Sequence, residues 1–92
     1  MGVYLKDPRS RLDYAIDWSA NLDGSAIAES QWEISPAEDG GLRATASFRE
    51  DGRTQVTLEG GVAGQVYRVA NIITRGDGRQ DARSLIVRTE AR

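Results

Sequence analysis

Two carboxylates, Asp13 and Asp17, stand in the run Leu12-Asp13-Tyr14-Ala15-Ile16-Asp17-Trp18, and a carboxylate pair is the least equipment that acid–base chemistry requires. They share one face of a strand, two pleats apart, with no other catalytic group near them in sequence. They therefore read as solvated outward positions that discourage edge pairing. Ser19-Ala20-Asn21-Leu22-Asp23-Gly24 places oxygen ligands at alternate positions before a glycine, like the start of a calcium loop. That loop needs a bidentate Glu at its twelfth position, where Ser30 stands with Glu29 one place early, so an Asx-type turn accounts better for the segment. Gly60-Gly61 and Gly76-Asp77-Gly78 lack the Gly-Lys-Ser/Thr of a phosphate loop and open no helix. Arg68, Arg75, Arg79, Arg83 and Arg88 remain, concentrated near the C-terminus. Arginine is enriched at protein interfaces where lysine is depleted, and its planar fork suits bidentate binding of carboxylates. The competing account is a soluble sheet face whose arginines are neutralised by nearby Asp and Glu.

The rest of the composition narrows the chemistry further. The 92 residues include no Cys and no His, which removes disulfides, Cys-based zinc sites, His-ligated metals and His-dependent triads. No catalytic residue, cofactor or metal ligand is expected. Eleven Arg and one Lys against 14 Asp and Glu leave a formal charge of −2, with no positive excess to neutralise nucleic-acid phosphates. No apolar stretch approaches the roughly 20 residues that span a bilayer, and the start has no signal-peptide core, so the chain is expected to begin in the cytoplasm. The opening Met1-Gly2 lacks the Ser or Thr that myristoylation wants at the sixth position, where Lys6 stands.

The elements that must position these residues are strands. Leu12, Tyr14, Ile16 and Trp18 alternate with Asp13, Ala15 and Asp17, and Trp32 and Ile34 share a face in the next run. Leu42, Ala44, Ala46 and Phe48 alternate with mostly polar neighbours and predict another half-buried strand. Glu50-Asp51-Gly52-Arg53 reads as a hairpin connection, after which Val56 and Leu58 point inward. Gly60 to Gly64 forms a corner; Val66–Thr74 and Ala82–Thr89 form a hairpin closed by Gly76-Asp77-Gly78; Val3–Leu5 adds a possible edge strand. No segment carries a helical period.

Short strands punctuated by Gly and Pro predict an all-β fold, an immunoglobulin-like antiparallel β-sandwich of about seven strands without a disulfide. Residues 1–10 are expected to be an N-terminal arm or edge strand and residues 11–92 a single sandwich domain. Tyr67, following a Gly-rich corner at the start of the penultimate strand, has the position of a tyrosine corner, whose hydroxyl bonds back to upstream backbone. Trp18 and Trp32 are expected to fill the core, with Tyr14 and Tyr67 beside them. Tyr4 is read as the anchor of a docking arm or as part of a chain end folded onto the sandwich.

Lys6-Asp7-Pro8, Leu12-Asp13-Tyr14, Ile16-Asp17-Trp18-Ser19, Ser30-x-Trp32, Gly60-Gly61-x-Ala63-Gly64, Tyr67-Arg68-Val69-x-Asn71-x-Ile73-Thr74 and Gly78-Arg79 leading to Arg83-Ser84-Leu85 occur in that order. The combination resembles small tailed-bacteriophage virion proteins of the fiber-tail adaptor type. The pattern often continues Asp-Trp-Ser-x-Trp-Leu, whereas Asn21 replaces the second aromatic here. The resemblance implies an immunoglobulin-like, non-enzymatic virion protein without a cofactor, assembled in the host cytoplasm into a symmetric oligomer. It would join tail or neck components to fibers, with no nucleic acid or membrane as partner. The expected partner contacts are Tyr4, Lys6, Arg68, Arg75, Arg79, Arg83 and Arg88. The alternative is a bacterial immunoglobulin-like module recognising a cell-surface glycan or protein. Glycan binding needs solvent-facing aromatics, and alternation leaves mainly Tyr4 available.

Overall fold

The computed structural model describes residues 3–91; Met1 and Gly2, the start of the expected arm, and Arg92 lie outside the described residues. Seven strands follow in order: β1 (Val3–Lys6), β2 (Arg11–Asp17), β3 (Ile27–Ser35), β4 (Leu42–Glu50), β5 (Arg53–Gly60), β6 (Val66–Arg75) and β7 (Gln80–Thr89). A single 3-10 turn, Ser19–Asn21, follows β2. One sheet has the order β1-β7-β6-β3 and the other β2-β5-β4. The second through seventh strands thus form two groups, 2-5-4 and 3-6-7, in the arrangement of the B-E-D and C-F-G strands of an immunoglobulin domain. The departure is β1. It pairs parallel with β7, Val3 facing Ile86 and Lys6 facing Thr89, instead of lying beside β2 in the other sheet. One pairing in an otherwise antiparallel fold is therefore parallel.

The inner faces meet over Ile16, Trp18, Leu22, Leu42, Val56, Leu58, Tyr67, Val69, Ile73, Leu85 and Val87, with Tyr14, Ile27, Trp32 and Ile34 packed against them. Alternation of period two puts these residues inside, and burial of this apolar area drives the two sheets together. The Asp51-Gly52 hairpin takes positive φ at both central residues, 48° and 79°, matching the twist of β4 and β5.

Two expectations from alternation fail. Phe48 was expected inside and is 54% exposed. The cause is a β-bulge: Ala44 faces Leu58 but Ala46 faces Thr57, so one extra residue, Thr45, reverses the face of everything after it. Beyond the bulge Ala46 and Phe48 lie outward, and β4 past Leu42 is exposed throughout. Leu12, on the edge strand β2, keeps 38% of its surface exposed instead of joining the core.

Candidate functional site

The Gly-rich corner is held from three sides. The Tyr67 hydroxyl accepts the Val62 N–H at 2.9 Å and donates to Glu38 Oε1 at 2.7 Å, the expected tyrosine corner with an added acidic partner. Burial, then the Glu38 interaction, pushes the phenol above its ordinary value against the opposing Val62 bond. The Thr89 hydroxyl is shared between the carbonyls of Val62 and Gln65. Gly61 packs so closely against Thr89, at φ 109°, that a Cβ there would fall 2.4 Å from Thr89 Cγ2. Lys6 supplies the third fixture: its Nζ donates to the Gly60 carbonyl at 2.8 Å and the Asp7 carbonyl at 3.0 Å.

Lys6 therefore corrects one expectation. It was expected to meet a partner, yet it is 1% exposed because Tyr4 and Lys6 share the inward parity of β1, opposite Val87 and Thr89. Desolvation lowers its pKa, offset in part by Asp7 and Glu59.

Parity also divides the arginines. Arg75 and Arg83 lie in phase with the inward residues of β6 and β7, and both reach the segment that follows β2. Arg83 donates to the Asp17 carbonyl at 3.0 Å and to Asn21 Oδ1 at 2.8 Å, and its guanidinium lies 5.0 Å from the centre of the Trp18 ring. Arg75 donates to the Asn21 carbonyl at 3.1 Å and to Asp77 at 2.6 Å, with only 11% of its side chain exposed. Arg75, expected as a partner contact, is thus largely consumed inside the chain, and Arg83 is exposed but held. Arg79 sits at the hairpin tip.

Arg68 and Arg88 have the opposite parity and project from the outer face of the four-stranded sheet. In register with them lie Val3, Leu5, Val66 and Ile86. Val3, Leu5 and Val66 are 64%, 47% and 47% exposed. Arg68 Nε donates to the Ser84 hydroxyl at 3.1 Å, which orients the exposed guanidinium. Arg88 pairs with Glu90 at 3.0 Å. This outer face joins exposed aliphatic groups to an oriented cation.

The two candidate carboxylates do not form a pair. Asp13 accepts from Thr57 Oγ1 at 2.6 Å, and Asp17 accepts from the Ser19 N–H and hydroxyl, which lowers its pKa. Ser19 to Gly24 forms the 3-10 turn and a tight turn, and no group of three acidic side chains gathers there or elsewhere among the described residues. Tyr4 is 41% exposed, its ring edge-on to Tyr14 at 5.2 Å.

Sequence reasoning named Trp18 as a core residue but missed the polar network around it. The fully buried indole N–H donates to Asn71 Oδ1 at 2.9 Å, with Thr54 Oγ1 at 3.2 Å. Thr54 also donates to Asn71, whose amide nitrogen donates across to Ser30 Oγ and the Gln31 carbonyl. The signal was present in the sequence: Thr54 and Asn71 hold inward positions in otherwise apolar alternations, and buried polar groups need partners.

The comparisons agree with this architecture. A family model described as "Podophage GP4 fiber-tail adaptor protein gp77" matches residues 6–88. The chain belongs to this family. Among solved structures, the chain is similar to the solution structure of the PKD domain from KIAA 1837 protein. The TM-score is 0.53 at 17% identity, over 98% of this chain and 81% of that one, a likeness of fold alone. No curated protein matches.

Proposed function

We propose that the protein is a non-enzymatic structural connector of a phage particle, joining tail or neck components to fibers. The observation that carries the reading beyond family membership is the outer face of the four-stranded sheet. Val3, Leu5 and Val66 stand exposed there around Arg68, whose Nε is held by Ser84, and exposed aliphatic groups beside an arginine mark an interaction surface. Its partner contacts are Tyr4, Arg68, Arg79 and Arg88, with Arg83 contributing from the neighbouring edge. Residues 11–92 act as one sandwich domain, to which the N-terminal residues are added as arm and edge strand.

Mass spectrometry and electron cryomicroscopy of purified particles test this reading. The chain is expected at stoichiometric abundance between tail and fiber density, and its absence from intact particles would sink the virion role. Arg68→Glu is expected to abolish or strongly reduce its incorporation while leaving the isolated fold intact, because the side chain is exposed and makes one internal bond.

A further inference from the structure

In the two-sheet arrangement described above, the place beside β2 is vacant among the described residues. The immunoglobulin pattern puts a first strand there, in the sheet of the second, fifth and fourth. Here β1 lies instead on β7 and covers only Ile86–Thr89, leaving β2 paired on one side alone, by β5. Apart from the carboxylates of Asp13 and Asp17, β2 lacks the usual protections of an edge: it is seven residues long, regular throughout its register, and free of proline and bulges. The other two long edge strands, β3 and β4, each carry a bulge.

The backbone of β2 can be oriented from one bond. The Trp18 N–H donates to the Gly52 carbonyl at 2.8 Å, continuing the pairing with β5. In an antiparallel ladder the residues alternate, so the even members Leu12, Tyr14 and Ile16 direct their backbone groups to β5. The odd members Asp13, Ala15 and Asp17 direct theirs to the open side. The Asp17 carbonyl fits this, since it is met from outside by Arg83 at 3.0 Å. Beside these groups lies a cleft of about 440 Å³ lined by Tyr4, Ala15, Ile16, Asp17, Arg83 and Leu85. It opens between the sheets at the point where β1 stops covering β7.

We infer that the open edge of β2 over Asp13–Asp17 is a strand-addition site that takes an extended segment of a partner virion protein. The segment pairs with the outward N–H and C=O of Asp13 and Ala15 and sets an apolar side chain into the cleft against Ile16, Leu85 and Tyr4. Charge selects the occupant. Asp13 and Asp17 flank Ala15 on the solvent face of β2, so a second copy pairing edge to edge about Ala15 would set carboxylates against carboxylates, whereas Lys, Arg or Thr at alternate positions of a different chain complements them. The inference rests on the adaptor reading and adds to it the edge and the chemistry of the segment received.

The test compares hydrogen exchange at the Ala15 amide in the free chain and in purified particles, together with two variants. Ala15→Pro removes an outward donor and blocks the incoming strand without costing a bond to β5; Ala15→Thr keeps the donor. In particles the Ala15 amide is expected to exchange slower by about tenfold or more. Ala15→Pro, with a thermal midpoint near that of the unaltered chain, is expected to enter particles about tenfold less, and Ala15→Thr normally. If the unaltered chain is present in particles while Ala15 exchanges as fast as in the free chain, or if Ala15→Pro enters normally, strand addition is overturned and the adaptor reading stands. Protection already present in the free chain, whether concentration-dependent or lost on removing residues 1–2, would also overturn it, because the edge would then be filled by a second copy or by the chain itself. Should Ala15→Pro not fold, the exchange comparison on the unaltered chain decides.

Discussion

The two tryptophans are similar in sequence and different in energetics. Trp18 is fully buried and donates its indole N–H into the Thr54–Asn71 network, whereas Trp32 is half-buried and its Nε1 has no partner among the described residues. Replacing Trp18 by Phe strips a donor from buried Asn71 and Thr54, and an unsatisfied buried polar group costs about 1–3 kcal/mol. Trp32→Phe breaks no hydrogen bond, so chemical denaturation should show a clearly larger loss for Trp18→Phe than for Trp32→Phe. Equal losses would mean that the network contributes nothing. Tyr67→Phe likewise leaves the Val62 N–H without its acceptor and is expected to cost about 1–2 kcal/mol by the same measurement. At this scale the sequence was legible where a motif has one geometric use, as at Tyr67. It was not legible where a polar residue's worth depends on a partner from the other sheet, as for Asn71.

At the scale of the strand, parity decided most assignments, and bulges decided where parity failed. The separation of Arg75 and Arg83 from Arg68 and Arg88 follows from counting alternate residues along β6 and β7, so it could have been read in advance; counting the arginines as one cluster hid it. The outward position of Phe48 could not, because no residue type in Ala44-Thr45-Ala46 announces a bulge. Deleting Thr45 should restore continuous register between β4 and β5 while leaving Phe48 opposite Gln55 on the outer face. The expected result is slower exchange along β4 with an unchanged response of Phe48 to hydrophobic dyes; a Phe48 that becomes buried would contradict the account. Gly61→Ala adds both a strained positive φ and a clash with Thr89, and is expected to lower the thermal midpoint far more than Gly78→Ala, where the added Cβ meets nothing.

Across the whole molecule, stability should depend on pH at both ends of the scale. Hydrogen bonds from Ser19 hold the Asp17 carboxylate below its ordinary 3.8, and the Arg75 bond does the same for Asp77. Their contribution is complete above pH 3.8 and is lost as pH falls through the lowered values. Burial raises the Tyr14 and Tyr67 phenols above 10, so their contribution is complete below pH 10 and is lost as the unfolded chain ionises above it. Lys6 runs the other way: desolvation lowers it from 10.5, and its charged form opposes folding less as pH rises toward that value. Urea midpoints measured across pH should therefore fall in acid below about 3.8 and in alkali above about 10. The alkaline fall should be shallower in Tyr67→Phe, and an unchanged alkaline limb in that variant would contradict burial as its cause.

The sequence by itself determined the sandwich, because alternation, turn residues and the Gly-rich corner are local instructions that each strand carries alone. The corner, the Asp51-Gly52 hairpin and the pairing of β6 with β7 were all legible for that reason. The tertiary structure decided what depends on neighbours distant in the chain: that β1 lies on β7 and not beside β2, that Lys6 is buried against Gly60, and that the arginines part between two faces. Sheet assignment and edge exposure arise from contacts separated by most of the chain's length, such as Val3 with Ile86 and Lys6 with Gly60. No local pattern encodes which strand arrives at an edge, and at β2 that choice leaves the edge open.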